Sequence, residues 1–312
     1  MNRVLITGAN GFVGRALCDA LRARGIDHVP TARHAGHSGQ LVVGNIDATT
    51  RWEKYLAGSD VVIHLAARVH VMQDPSGDPL AAFRAMNVDA TINLARQAVL
   101  CGVKRFVFVS SVKVNGEETT GKPFTAFDVP APIDPYGISK LEAEQALLVL
   151  SESTGLEVVL VRPPLVYGPG VGGNFLRLMR LVEMGIPLPF GAFHHRRSLL
   201  ALDNLVDMLI VCAGHPAASG QTFMVSDGCD VSLPELLRML AGAMGRRARI
   251  WPLPEKMLAG AAGLLGKSGE ASRLLASLQV DIAHTKSTLK WKPVASLQDA
   301  VNHTVAHFMH HR

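Results

Sequence analysis

The run Arg3-Val4-Leu5-Ile6-Thr7, followed by Gly8-Ala9-Asn10-Gly11-Phe12-Val13-Gly14, limits what this chain can fold into more than any other stretch. A short apolar strand ends in glycines spaced G-x-x-G-x-x-G, and Val13, Leu17, Ala20 and Leu21 then recur on one helical face. Glycine is needed where the chain turns tightly and where backbone must come close to a pyrophosphate. The helix N-terminus beyond offers free N–H groups and a positive dipole end. This context points to a dinucleotide cradled by Gly8, Asn10, Gly11, Phe12, Val13 and Gly14.

Further apolar runs, Leu41-Val43, Val61-Leu65, Arg105-Val109 and Val158-Arg162, alternate with helical stretches such as Ala81-Leu100 and Ser139-Thr154. Short strands alternating with helices predict a parallel sheet covered on both faces, a Rossmann-type doubly wound α/β fold. The rhythm breaks after Pro163-Pro164, where glycine clusters begin. Residues 1–164 are therefore expected to form the dinucleotide domain. Residues 165–312 are expected to form mainly a smaller substrate lobe, across a soft boundary with segments returning to the main sheet. At 48% hydrophobic residues the chain can bury a large core, which excludes global disorder.

The second strand is expected to run through His28-Ala32 and end at Arg33-His34, with no carboxylate to receive a ribose 2′-hydroxyl. Arg33 instead suits a 2′-phosphate, which favours NADP(H) and leaves NAD(H) as the alternative. Ser110-Ser111 closes the strand Phe106-Val109, and Tyr136-Gly137-Ile138-Ser139-Lys140 opens a helix in a Y-x-x-x-K pattern. One helical turn puts Tyr136 and Lys140 on the same face. The lysine ammonium is expected to lower the phenol pKa, so that Tyr136 can exchange a proton with a sugar or alcohol oxygen as hydride moves. The serine hydroxyl would orient that oxygen.

The glycine turn, the strand-end serine and Y-x-x-x-K, taken in order, resemble the extended short-chain dehydrogenase/reductases. So do His64-Leu65-Ala66-Ala67, Asn87-Val88, Arg162-Pro163 and the stretch from Arg197 to Asp203. The resemblance implies a triad of Ser111, Tyr136 and Lys140. It also implies cofactor contacts from Leu65, Ala66, Ala67, Asn87 and Pro163, and adenine contacts from Asn45 and Ile46, where the family places an acid and this chain has Asn45. Within the family the likeness is greatest to the nucleotide-sugar branch of hexose 4-epimerases and 4-keto-6-deoxyhexosamine reductases of surface-polysaccharide pathways. It further implies Arg197 and Asn174 on a nucleotide diphosphate, and pairing of two copies through helices such as Ala81-Leu100 and Ser139-Thr154. Gln279 stands in a late stretch, Ser277-Leu278-Gln279-Val280-Asp281, near which the family often carries a basic residue.

Two departures give the expected reaction its direction. Family dehydratases carry Asp-Glu after the triad hydroxyl, where this chain has Val112-Lys113, and epimerases of the branch usually carry Tyr at the position of Asn115 and an acid at the second strand end, where this chain has Arg33-His34. The expected reaction is therefore NADPH-dependent reduction of a UDP-linked 4-keto-6-deoxyhexosamine. A nucleotide-sugar 4-epimerase is the alternative, and a non-catalytic dinucleotide sensor is a third reading. A net charge of +5 without a basic block, and aromatics at 5%, argue against nucleic acid. The four dispersed cysteines and the absence of a signal-peptide pattern suit a cytoplasmic protein. The histidine pairs lack ligand spacing, so no metal centre is expected. The apolar stretch Met257–Gly266 is about half a membrane span, so no transmembrane segment is expected, though it could lie on a membrane or line a pocket.

Overall fold

The computed structural model describes residues 3–34, 36, 39–69, 77–254 and 276–311. The Met257–Gly266 stretch lies outside them. Strands among the described residues, in chain order, are β1 (Arg3–Thr7), β2 (Asp27–Ala32), β3 (Leu41–Val42), β4 (Val61–His64), β5 (Arg105–Val109), β6 (Glu157–Arg162), β7 (Leu165–Tyr167), β8 (Arg196–Ala201), β9 (Thr222–Met224) and β10 (Asp230–Ser232). Seven of them form one sheet in the order β3-β2-β1-β4-β5-β6-β9, every pairing parallel. This is a Rossmann-type α/β fold. The apolar runs are continuous rather than alternating because both faces of the sheet are covered; all four residues of β4 are buried.

Because strand side chains alternate, neighbours in one strand feed opposite cores. Val4 and Ile6 of β1 pack with Leu17 and Leu21 of helix α1 (Phe12–Ala23), whereas Leu5 faces Leu94 and Leu147 on the other side. The buried residues of α1 are Gly14, Leu17, Cys18 and Leu21, one stripe at helical spacing. After the short α2 (Glu53–Leu56), the expected Ala81–Leu100 helix divides. It forms α3 (Pro79–Arg84), a π-helical turn over Ala85–Asp89, and α4 (Ala90–Leu100). The widened turn carries Asn87 inward, where it is buried. Helix α5 (Pro135–Thr154) crosses the same face and ends at Gly155, whose φ of +75° is the left-handed cap that favours glycine.

Past β6 the chain serves two bodies. Helix α6 (Gly173–Glu183) belongs to a second sheet, ordered β10-β8-β7, and α7 (Leu202–Gly214) covers the main one. Helix α8 (Leu233–Ala243) opens on a reciprocal cap between Ser232 and Glu235. It packs with α10 (Leu297–His310) around Tyr167, Phe175 and Leu199. Strand β9 returns to the main sheet beside β6, followed by α9 (Ala283–Leu289). Among the described residues no helix is long and apolar enough to cross a membrane.

Candidate active site

Strands β1 and β4 are neighbours, yet the connections from them run in opposite directions across the sheet. At such a switch point the loops beyond the carboxyl ends part and leave a crevice. A cavity of about 450 Å³ lies there, lined by residues 8 and 10–14, Arg33, Ile46 and residues 65–67. Its floor has no room for larger side chains, because a Cβ on Gly14 would lie 2.2 Å from the Gly8 carbonyl oxygen. No side chain caps α1, whose N-cap is Gly11, so the first N–H groups of the helix are open to an anion. These residues fit a dinucleotide pyrophosphate.

A polar hub fixes the facing wall. The Thr7 hydroxyl accepts the N–H groups of Leu65 and Ala66, each at 3.1 Å. Its own proton therefore goes to Nδ1 of His64, 2.7 Å away, which leaves Nε2–H to donate to Thr91 at 2.9 Å. Burial, with the Lys140 charge second, holds His64 neutral and pushes its pKa down to about 3. Asn87 accepts the Arg68 N–H at 2.8 Å and donates to Ser139 at 2.9 Å, tying the wall to α5. It thus supports the cavity without lining it. Asn45 lies in an adjoining groove with Asp47 and Lys54.

The start of α5 brings the sequence triad together. Asp134 caps it, accepting the Gly137 N–H at 2.7 Å, with Pro135 at the first helical position. A Cβ on Gly137 would sit 2.8 Å from the Lys113 carbonyl oxygen, so glycine there lets α5 begin against the turn Val112–Val114. That approach sets the Ser111 hydroxyl close enough to Tyr136 to lower the pKa of its phenol. The neighbouring Ser110 hydroxyl is buried with no partner among the described residues. Lys140 is buried and donates to the Val109 carbonyl at 2.8 Å, 4.3 Å from the Phe108 ring centre and 6.0 Å from that of Tyr136. Pro163 is buried, and its carbonyl accepts the Val112 N–H at 3.0 Å, which fixes the Ser111 turn.

The electrostatics reverse one expectation. Burial, reinforced by the Asp134 charge, pushes the Tyr136 phenol up to about 12, against the lowering effect of Ser111. The sequence argument gave the lysine a full ammonium. Burial instead brings Lys140 down to about 7, partly offset by Glu144 one turn along the helix. The pair therefore gives up its first proton near neutral pH from the lysine end, and a proton shift between the two groups then makes the phenolate available as a base. Glu144 is itself buried and binds Arg162 through both carboxylate oxygens, at 2.9 and 2.5 Å. Arg162 also donates to Asn115 at 3.1 Å, and Asn115 donates to the Thr125 carbonyl.

The expected substrate residues lie on the second sheet and its neighbours. Arg197 is on β8 and donates to the Ala276 carbonyl at 3.0 Å. Burial lowers its pKa while Glu117 raises it. Asn174 is exposed in the first turn of α6, accepting from Arg177 at 3.4 Å. Neither lines the 450 Å³ cavity. Residues 276–281 join β8 to the loop beyond the triad serine: Ser198 donates its N–H to Leu278, Thr119 to Ser277 and Phe124 to Gln279, each at 2.8 Å. Sequence reasoning missed a charged cluster beside Ser111. Lys113 binds Asp134 and, at 3.0 Å, Glu117. The one signal for it was a lysine where dehydratases carry an acid. Among the described residues no three His, Cys, Asp or Glu side chains gather as a metal site would need.

The family model described as "NAD dependent epimerase/dehydratase family" matches residues 4–226. The chain belongs to that family. It is thus an enzyme of the extended short-chain dehydrogenase/reductase class, as its motifs imply. A UDP-glucose 4-epimerase of Vibrio cholerae is 47% identical over 98% of this chain and 95% of its own length. Among solved structures, MoeE5 in complex with UDP-glucose and NAD superposes with a TM-score of 0.80 at 26% identity, covering 99% of each chain. The UDP-glucose 4-epimerase of Thermotoga maritima, solved with UDP-glucose, has a TM-score of 0.78 over 99% of each chain. Its 22% identity makes it a likeness of fold.

Proposed function

We propose that this enzyme is a nucleotide-sugar 4-epimerase acting on a UDP-hexose, with the dinucleotide retained through the cycle. The observation that carries the reading is the 47% identity to the Vibrio cholerae UDP-glucose 4-epimerase along almost the whole chain. The expected 4-keto reductase gives way to its alternative for a physical reason as well. That expectation leaned in part on Asn115 in place of Tyr, but Asn115 is a buried framework residue between Arg162 and the Thr125 carbonyl. Its identity carries no information about the direction of hydride movement.

In this reading Ser111 hydrogen-bonds the sugar 4-oxygen and Tyr136 takes its proton, then returns it. Lys140 carries the compensating charge, held in place by the Val109 carbonyl. A nicotinamide dinucleotide bound in the crevice would supply the acceptor and donor of hydride for C4. Residues 8, 10–14 and 65–67 hold the dinucleotide, and Arg197 with Asn174 receives the diphosphate. Val112-Lys113 leaves no acid pair to eliminate water, so the 4-keto sugar is reduced again rather than dehydrated. We assign the resident dinucleotide as NAD(H), in keeping with the family description and the NAD complex of MoeE5. Arg33 at the cavity edge is the residue that would admit a 2′-phosphate.

The test incubates purified protein with UDP-glucose and no added cofactor, and identifies the dinucleotide released on denaturation. Interconversion of UDP-glucose and its C4 epimer, with NAD(H) released, is the expected result. Consumption of added NADPH in step with reduction of a UDP-4-keto-6-deoxyhexosamine, without epimerisation, would restore the reductase.

A further inference from the structure

We propose that Trp52 reads the adenine base of the dinucleotide, its indole N–H donating to a ring nitrogen of that base. The inference rests on the dinucleotide reading of the cavity of about 450 Å³ and is independent of the direction of the chemistry. No motif in the sequence singles Trp52 out. It stands immediately before α2, at the end of the loop that follows β3.

The triad serine follows β5, so the reacting half of the dinucleotide lies on the β4–β5 side of the glycine turn and the adenosine half on the β2–β3 side. On that second side Ala32, Val43, Ile46 and Trp52 line the cavity. Asn45, to which the family resemblance gives the base, lines the neighbouring groove instead. An apolar slot can hold the faces of a purine, but telling one base from another takes a polar group. Trp52 carries one. Its Nε1 is buried and finds no acceptor among the described residues. The ring belongs to the apolar cluster of Leu5, Val29, Leu56 and Val62, which offers none, and at 1% exposure bulk water does not replace it. A buried donor without an acceptor is costly, so a ligand that brings the acceptor is favoured by the cost it removes.

The surroundings hold the ring at this wall. The Trp52 backbone N–H donates to Gln97 Oε1 at 2.7 Å, and Gln97 Nε2 donates to the Thr50 carbonyl at 2.8 Å, which ties the loop to α4. Tyr55 meets the indole edge-on, 6.0 Å between ring centres, and its hydroxyl donates to the Val42 carbonyl at 2.9 Å. The nitrogen is covered in this structure, so engagement includes a small turn of the ring toward the base. An indole N–H is a donor only. It can pair with N1, N3 or N7 of adenine and not with the exocyclic amino group, the reverse of what a carboxylate would read.

The experiment strips the enzyme of dinucleotide and titrates it calorimetrically with ADP, with UDP present to occupy the sugar-nucleotide side. Three ADP analogues follow, in which CH replaces N1, N3 or N7. In the unaltered enzyme one analogue should bind about 10-fold more weakly than ADP. Trp52→Phe keeps an aromatic ring without the donor, and should weaken ADP about 10-fold while leaving that analogue's affinity unchanged. Nicotinamide mononucleotide, which has no adenine, should bind both proteins equally. A Trp52 that merely packs would weaken ADP and all three analogues by one factor in the variant, or nicotinamide mononucleotide as well, and either result overturns the proposal. So does equal binding of ADP and its analogues by the unaltered enzyme. If the unaltered enzyme binds neither ADP nor nicotinamide mononucleotide, the dinucleotide reading itself fails and takes the proposal with it.

Discussion

The cofactor side and the substrate side of this crevice are built by different means. Around the dinucleotide cavity the work is done by backbone: a turn without room for a Cβ at Gly14, an uncapped helix start, and two N–H groups held by Thr7. The glycine turn and the helix start are near one another in sequence, and Thr7 at their edge reaches the end of β4, 58 and 59 residues on. On the substrate side the parts come from distant segments and are held by side chains. Lys113 reaches Asp134, Ser198 reaches Asp230, and Gln279 reaches Asp230 at 2.7 Å. A backbone device suits a pyrophosphate whatever sugar is attached, whereas contacts made by side-chain charges change with a single substitution.

The largest effect that tests this division lies where the two sides meet. Tyr136→Phe should cost about 1000-fold in kcat, with the released dinucleotide and the melting temperature unchanged. Parallel loss of bound cofactor would mean that Tyr136 belongs to the cofactor side. In the unaltered enzyme, kcat/KM should fall as pH drops below about 7, where the Tyr136–Lys140 pair regains its proton. Lys140→Arg should displace that limb, read from initial rates across pH 5.5–9 (about two units either side of neutral).

On the cofactor side alone, Gly14→Val forces side chain against the Gly8 carbonyl and should cost about 2 kcal/mol of stability. It should also leave the purified protein without dinucleotide, measured by absorbance after denaturation. Retained cofactor would show that the cradle is looser than its 2.2 Å approach implies. His64 gives the same side a pH signature. Its pKa is depressed to about 3, so its contribution to stability is present above pH 6.5 and is lost as pH falls toward 3. The loss should reach about 2 kcal/mol by pH 5, and His64→Gln should flatten that slope in a pH series of thermal melts. The smallest effect belongs to the substrate side. Gln279→Ala breaks one hydrogen bond to Asp230 and should cost about 1 kcal/mol or less, raising KM for the nucleotide sugar while cofactor content stays full.

The same division explains what could be read from the chain. The doubly wound sheet, the glycine cradle and the triad were legible because each is a local pattern with a local cause. The π-helical turn at Ala85–Asp89 was not, because its cause is the reach of Asn87 to Arg68 and Ser139, far from it in sequence. Strands β7 to β10 were missed for a similar reason. They are three to six residues long, and their pairings join segments up to 62 residues apart. Tyr136 was read with the wrong sign because spacing shows that Lys140 is near, but not that burial outweighs it. The Lys113 cluster needed the fold, since Asp134 is assigned to it only once α5 starts against the Ser111 turn.

The central claim is that this crevice removes and returns hydride at one sugar carbon on a cofactor it never releases. The most direct measurement follows UDP-glucose deuterated at C4 through the purified enzyme in ordinary water, with no cofactor added. The account requires the C4-inverted product to keep its deuterium at C4 over many turnovers. Loss of the label to solvent, or turnover that begins only when NADPH is supplied, would contradict it.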